Sequence, residues 1–196
     1  MKIIGITGGT GAGKTTALFV LHELGARIVD CDGLYHDLLD SSKEMLSEID
    51  ERFPGVVRNG RLDRKRLGEQ VFNNDRALSD LGAITHPYIE RAVKADLEKE
   101  RKSGRDLYAI DAIGLLEGGL VGMCELVVGI TAPVEQRVRR LIEREGISEE
   151  YARLRISAQH GDDYYKERCT AVLCNDGDRA AFEAKCRQYF LDIIGR

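Results

Sequence analysis

The five cysteines (Cys31, Cys124, Cys169, Cys174 and Cys186) include no Cys-x-x-Cys pair, and their number is odd. That argues against a zinc site and against a disulfide framework; reduced thiols in a cytoplasmic protein fit better, most of them acting as small buried hydrophobes. Long apolar runs are also missing. Met1-Lys2-Ile3-Ile4 is far too short for a signal peptide, and Glu117 and Glu125 interrupt the only other long apolar stretch, so neither export nor a membrane anchor is expected. A basic excess is absent too: 29 Lys and Arg stand against 33 Asp and Glu, a net charge of −4, which gives no global attraction to nucleic acid or to an anionic membrane. Anionic substrates must therefore be met by local basic clusters. Internal repeats and low-complexity linkers are lacking, and 196 residues can bury roughly 70% of the unfolded surface, so a single domain is expected over 1–196.

What is present is concentrated at the start. Gly8-Gly9-Thr10-Gly11-Ala12-Gly13-Lys14-Thr15 follows the apolar run Ile3-Ile4-Gly5-Ile6 and precedes a helical pattern. Strand, phosphate loop and helix thus occur in the required order, which marks a nucleoside-triphosphate site. Glycines let successive backbone N–H groups curl around phosphate oxygens, and the positive end of the next helix points at the same anion. Residues Gly9, Thr10, Gly11, Ala12, Gly13, Lys14, Thr15 and Thr16 form the predicted ATP cradle, with Lys14 reaching the β- and γ-phosphates and the Thr15 hydroxyl ligating Mg²⁺. A dinucleotide fingerprint beginning at Gly9 and Gly11 would need glycine at position 14, where lysine stands.

Beyond the loop, Ala17, Leu18, Leu21 and Leu24 recur at helical spacing before a stop at Gly25, predicting a helix from about 14 to 24. Short strands are predicted at Arg27–Asp30, Leu107–Asp111, Glu125–Thr131 and around Val172-Leu173-Cys174. Such strands separated by helices imply an α/β fold with a parallel sheet covered on both faces, binding its ligands at the carboxyl ends of the strands. Asp32 and Asp111 would lie at that edge. The interval 33–104 shows no comparable strand and several helical patterns, the longest running from Pro87 to Lys102, and reads as an inserted helical lobe. Pro133 opens a further helix that Gly146 closes, Ser148 starts another, and the last helix follows Asp178 and ends near Ile194.

Phosphoryl transfer needs positive charge on the moving phosphate and a group to receive the acceptor's proton. Asp32 is the candidate base; its competing role is a helix cap before Gly33, a role for which Asp30 is the better placed. Asp111 can bind Mg²⁺ through water. Arg137, Arg140 and Arg144 fall on one helical face, suited either to closing over ATP or to a solvated face laced by Glu135–Arg139 and Arg139–Glu143 pairs, and spacing leaves both open. Arg155 with Gln159 is a second polar pair. His86 before Pro87 is a weak signal on its own.

Together these motifs resemble the dephospho-coenzyme A kinases over nearly the whole chain. Residues 4–15 match that family's first signature, and 25–32 its strand ending in Asp-x-Asp. More specific are Gly60-Arg61-Leu62-Asp63-Arg64 with Leu67-Gly68 and Val71-Phe72, then Leu81, Ile84, His86, Pro87 and Ile89; Arg140, Arg144, Arg155-Ile156, Gln159 and Asn175 follow in order. The resemblance implies a three-layer phosphate-loop NTPase core (1–32, 104–132 and 171–196), an inserted helical acceptor-binding lobe (about 33–103) and a helical lid (about 133–170). It implies transfer of the γ-phosphoryl of MgATP to the ribose 3′-hydroxyl of dephospho-CoA, with ATP and dephospho-CoA as partners. Asp32, Lys14 and Arg140 would be catalytic, Arg144 and Asn175 would join the ATP site, and Asp32, His86, Asp111 and Arg155 would bind the acceptor.

Three segments depart from that family's pattern: Asp111-Ala112-Ile113-Gly114 lacks a proline, Cys169-Thr170 replaces Ala-Asp, and Asp163-Tyr164-Tyr165 replaces a glutamate–lysine segment. Taken alone, the core also fits a phosphate-loop kinase of another small-molecule or nucleotide acceptor; only the helical lobe argues the choice. A non-catalytic GTP-dependent switch would need an Asn-Lys-x-Asp run, which does not occur, and the joint presence of Lys14, Thr15 and Asp32 argues against an inactive coenzyme-A binder.

Overall fold

The computed structural model describes residues 1–72 and 74–195. Along the chain run β1 (Lys2–Thr7), α1 (Lys14–Glu23), β2 (Arg27–Asp30), α2 (Cys31–Ser41), α3 (Lys43–Arg52), β3 (Val57–Arg58), β4 (Arg61–Leu62), α4 (Arg64–Val71), α5 (Asp75–Lys102), β5 (Leu107–Asp111), β6 (Leu126–Thr131), α6 (Val134–Glu145), α7 (Glu149–Ser157), α8 (Asp162–Arg168), β7 (Ala171–Cys174) and α9 (Arg179–Ile194). They group into two compact units, Met1–Val29 with Glu100–Arg196, and Asp30–Lys99. The expected lid segment, 133–170, falls inside the first unit.

The first unit carries a five-stranded sheet in the order β2-β5-β1-β6-β7, with β1–β5, β1–β6 and β6–β7 parallel. Alternation along β1 explains how both faces are covered. Ile4 and Ile6 join Ala17, Val20 and Leu21 of α1 and Phe182, Cys186 and Phe190 of α9 in one core. On the opposite face a side chain at Gly5 would run into Leu115 and Cys124, so that layer also packs directly on the strand. Register places Ile6 beside Asp111 and Thr7 beside Gly129, which brings the carboxyl ends of β5, β1 and β6 to a common edge. The phosphate loop leaves the middle strand there, the position from which α/β sheets bind ligands.

The second unit has its own core, built from Leu39, Met45, Leu46, Ile49, Phe53, Val56, Leu67, Val71 and Ala77. Its helices start at side-chain caps: Asp30 accepts from the amides of Asp32 and Gly33, Ser42 from Met45, and Asp63 from Arg66.

One sequence expectation fails in this unit and another needs an addition. The interval holds no strand as long as those of the main sheet, but β3 and β4, two residues each, form an antiparallel hairpin around Asn59-Gly60, both at positive φ (52° and 73°). Asn-Gly is the dipeptide that a two-residue hairpin turn demands, but strands of two residues show no alternation to detect. The long helix does not begin at Pro87; α5 starts at Asp75 and carries Pro87 inside it. Proline removes one backbone donor, yet Ala77, Leu81 and Ile84 ahead of it pack on the second core and draw the helix through.

Candidate active site

The turn after β1 is shaped by contacts that tolerate no side chain. Gly8 has φ 140°, and a Cβ there would fall 2.2 Å from the carbonyl oxygen of Ile130. Gly13, at φ 110°, occupies the N-cap of α1 and offers no side-chain acceptor to the first-turn amides. With no side chain covering it, the positive end of the helix dipole faces the loop, the arrangement that favours an anion. Lys14 Nζ donates to the carbonyl of Gly8 at 3.0 Å, folded back across the loop, and Thr15 is exposed.

Side chains from α6, the end of α7 and the end of β7 grip the outside of this loop. Arg137 Nε donates to the Thr10 carbonyl (2.8 Å) and its Nη2 to Gln159 Oε1 (3.1 Å), while the same Gln159 oxygen accepts from the Thr10 amide at 2.7 Å. Arg140 donates to the Gly11 carbonyl (3.3 Å), to Gln136 Oε1 (2.9 Å) and to Asn175 Oδ1 (3.1 Å). Asn175, only 5% exposed, donates from Nδ2 to the Ala12 carbonyl at 2.9 Å. Arg155 reaches Thr10 Oγ1 at 3.5 Å and also bonds Glu145. With the carbonyls of Thr10, Gly11 and Ala12 held from behind, the loop backbone is fixed by partners far along the chain.

The three arginines on the α6 face have different fates. Arg137 is 4% exposed, Arg140 is half-buried, and Arg144 is exposed and donates to its neighbour Glu145. Burial lowers the pKa of the Arg137 guanidinium, against which Tyr165 and Asp162 act, and burial does the same to Arg140. The alternative of a solvated face does not describe the first two, and Glu135 pairs not with Arg139 but with Arg153 on α7 at 2.7 Å. The reason is position on the helix: only its first two turns lie against the loop. Hydrogen bonds from Arg144 and Arg155 hold the Glu145 carboxyl below its ordinary range.

Asp111 closes β5 at the same sheet edge, one residue before Ala112 donates to the Ile6 carbonyl. Asp32 and His86 belong to the second unit. Asp30, not Asp32, caps α2; Asp32 occupies the first turn of that helix, with its backbone N–H donated to Asp30 Oδ1 and its carboxylate exposed. His86 is exposed on α5, its ring close enough to Gly82 that a Cβ there would meet it at 3.4 Å. Sequence reasoning did not foresee Gln136 or the bond from Gln159 to the loop; nothing in local spacing ties position 159 to position 10. Among the described residues no group of three or more His, Cys, Asp and Glu could hold a metal, and no helix is long and apolar enough to cross a membrane. Thr15, exposed in the first turn of α1, carries an oxygen donor of the kind that suits a magnesium ion.

The family model described as dephospho-CoA kinase matches residues 2–181. The dephospho-CoA kinase of Dehalococcoides mccartyi is 40% identical over 178 residues, 90% of this chain and 89% of that one. Among solved structures, a crystal structure from Thermus thermophilus is similar with a TM-score of 0.80 and 32% identity, covering 97% of each chain. The dephospho-CoA kinase of Campylobacter jejuni is similar with a TM-score of 0.71 and 25% identity, covering 100% of this chain and 98% of that one.

Proposed function

This chain belongs to the dephospho-CoA kinase family, and from that premise we propose how its residues divide the work of an ATP-dependent phosphotransferase. The reaction moves the γ-phosphoryl group of ATP to the ribose 3′-hydroxyl of dephospho-CoA, giving coenzyme A and ADP. The observation that carries the residue assignment is the phosphate loop itself, which leads into a helix start with no side-chain cap and is braced at its carbonyls by Arg140 and Asn175.

Gly9 through Thr16 wrap the triphosphate, and Lys14 swings from the Gly8 carbonyl to the β- and γ-oxygens. Arg140 would turn from the Gly11 carbonyl to add a guanidinium where charge spreads over the transferring group, with Arg144 and Asn175 completing the nucleotide side. Asp32 accepts the proton of the 3′-hydroxyl as its oxygen bonds to the γ-phosphorus and the bond to ADP breaks; an exposed carboxylate at the head of α2 suits that role. His86, Asp111 and Arg155 orient the acceptor. Thr15 would hold Mg²⁺ together with the phosphates, and the ion supplies charge neutralisation on the β- and γ-oxygens.

On this reading 1–32, 104–132 and 171–196 form the catalytic core, about 33–103 the acceptor lobe and about 133–170 the lid. The enzyme works in the cytoplasm on small molecules, without nucleic acid or membrane partners. A panel of acceptors followed by ADP release from MgATP tests it. Dephospho-CoA should exceed adenosine, AMP and shikimate in kcat/KM by orders of magnitude; preference for another alcohol overturns the assignment.

A further inference from the structure

Arg137 is the one charged side chain in the buried class among the described residues. Its hydrogen bonds go to neutral oxygens, the Thr10 carbonyl and Gln159 Oε1, and the carboxylate that contributes to its field is Asp162. A guanidinium taken out of water without a directly bonded counter-charge is costly unless something else repays it. The fit is also tight. A Cβ on Gly9 would lie 2.3 Å from Arg137 Nη2 and 3.0 Å from Gln159 Oε1, so the pair is pressed against the bare backbone of the loop. Thr10 is thereby held at both its amide and its carbonyl, from the bend that follows α7 and from α6.

We propose that Arg137 and Gln159 form a positioning pair that fixes the first bend of the phosphate loop at Thr10 and sets a buried positive charge behind the phosphate nest. Neither residue touches the nucleotide. Their effect is preorganisation: the loop amides converge before ATP arrives, and the field of Arg137 favours the anion across the loop, which in turn offsets the burial of that charge. This rests on the phosphate loop being the ATP site.

The test uses Arg137→Met and Gln159→Met, singly and combined, with Arg137→Lys as the conservative variant, exposed Arg139→Ala as a surface control and Lys14→Ala as the site control. Each single methionine variant should lose about ten- to hundredfold in kcat/KM for ATP, the range expected for hydrogen bonds to a charged group. ADP affinity by calorimetry should fall in parallel, while KM for dephospho-CoA stays within about twofold. The double variant should lose no more than the worse single one, because both act through Thr10. Arg137→Lys, which keeps the charge without the fork, should recover part of the loss, and Arg139→Ala should match wild type.

Additive losses in the double variant, or unchanged ADP affinity, overturn the proposal. So does a rise in KM for both substrates that tracks a fall in Tm. If Arg137→Met does not fold, the partly exposed Gln159→Met carries the same readouts. Wild-type ATP use by Lys14→Ala would instead overturn the phosphate-loop assignment, whereas a damaged Lys14→Ala beside wild-type methionine variants overturns the positioning pair alone.

Discussion

Asp32 and Asp30 are two residues apart, and the division of labour between them decides what each can do. Asp30 spends its carboxylate on the amides of Asp32 and Gly33, satisfying donors that the start of α2 would otherwise leave open. Asp32 is thereby released from capping and keeps an exposed carboxylate on a rigid helical turn. Asp32→Asn preserves the shape and the cap but cannot receive a proton. It should retain MgATP binding and lose about 10²–10⁴-fold in kcat, the range for a positioned general base. Calorimetric ATP affinity that collapses together with kcat would place Asp32 on the magnesium instead. Sequence position alone singled out both aspartates; which of them caps α2 follows from which carboxylate folds back onto the helix amides.

At the scale of elements, α6 is informative because its residues share one chemistry and differ in surroundings. Arg139 and Arg140 are adjacent, yet the ~100° turn per residue sends Arg139 to solvent and Arg140 to the loop carbonyls. Arg140→Ala should lower kcat/KM for ATP far more than Arg139→Ala, since exposed pairs on a helix are worth only ~0.3–0.5 kcal/mol. Steady-state rates of the two variants, compared at equal concentration, check it. The joint between α6 and α7 depends on carboxylates whose pKa values are lowered: Glu135 chiefly by the hydrogen bond from Arg153, and Glu145 by those from Arg144 and Arg155. A depressed carboxylate contributes stability above its unfolded value of about 4.5 and loses it as pH falls through the lower, folded value. Through these pairs, thermal melts should therefore not vary with pH around neutrality and should show a small, salt-screened loss only below about pH 4.5; a loss centred near pH 6 would contradict the pairing. The hairpin β3–β4 shows what an element-level reading misses. Its Asn59-Gly60 turn was visible in the chain, but four strand residues carry no periodic pattern.

For the whole molecule, the chain divides into two compact units, 1–29 with 100–196 and 30–99, and the phosphate loop lies in the first. If residues 30–99 serve the acceptor, binding energy from the remote pantetheine arm is available to orient the ribose hydroxyl. An acceptor truncated to its nucleotide should then lose kcat as well as affinity, read as single-turnover rates at saturating acceptor; a change confined to KM would mean that the arm only anchors.

Several features of this protein were determined by the chain alone. The strand–loop–helix order, the glycines at 8 and 13 and the capping residues Asp30, Ser148 and Asp178 act through neighbours within a few positions, so their consequences are local and readable. The family motifs, spread over most of the sequence, likewise sufficed to name the reaction. Tertiary structure alone decided the rest. Thr10 meets Gln159 across 149 positions and Arg137 across 127. Pairings at that distance leave no trace in spacing, because they depend on where α6 and α7 come to rest against the sheet edge. Which of three equally spaced arginines is buried, and whether a helix tolerates Pro87 inside it, were settled by packing energy shared among many contacts, and no local pattern encodes that sum.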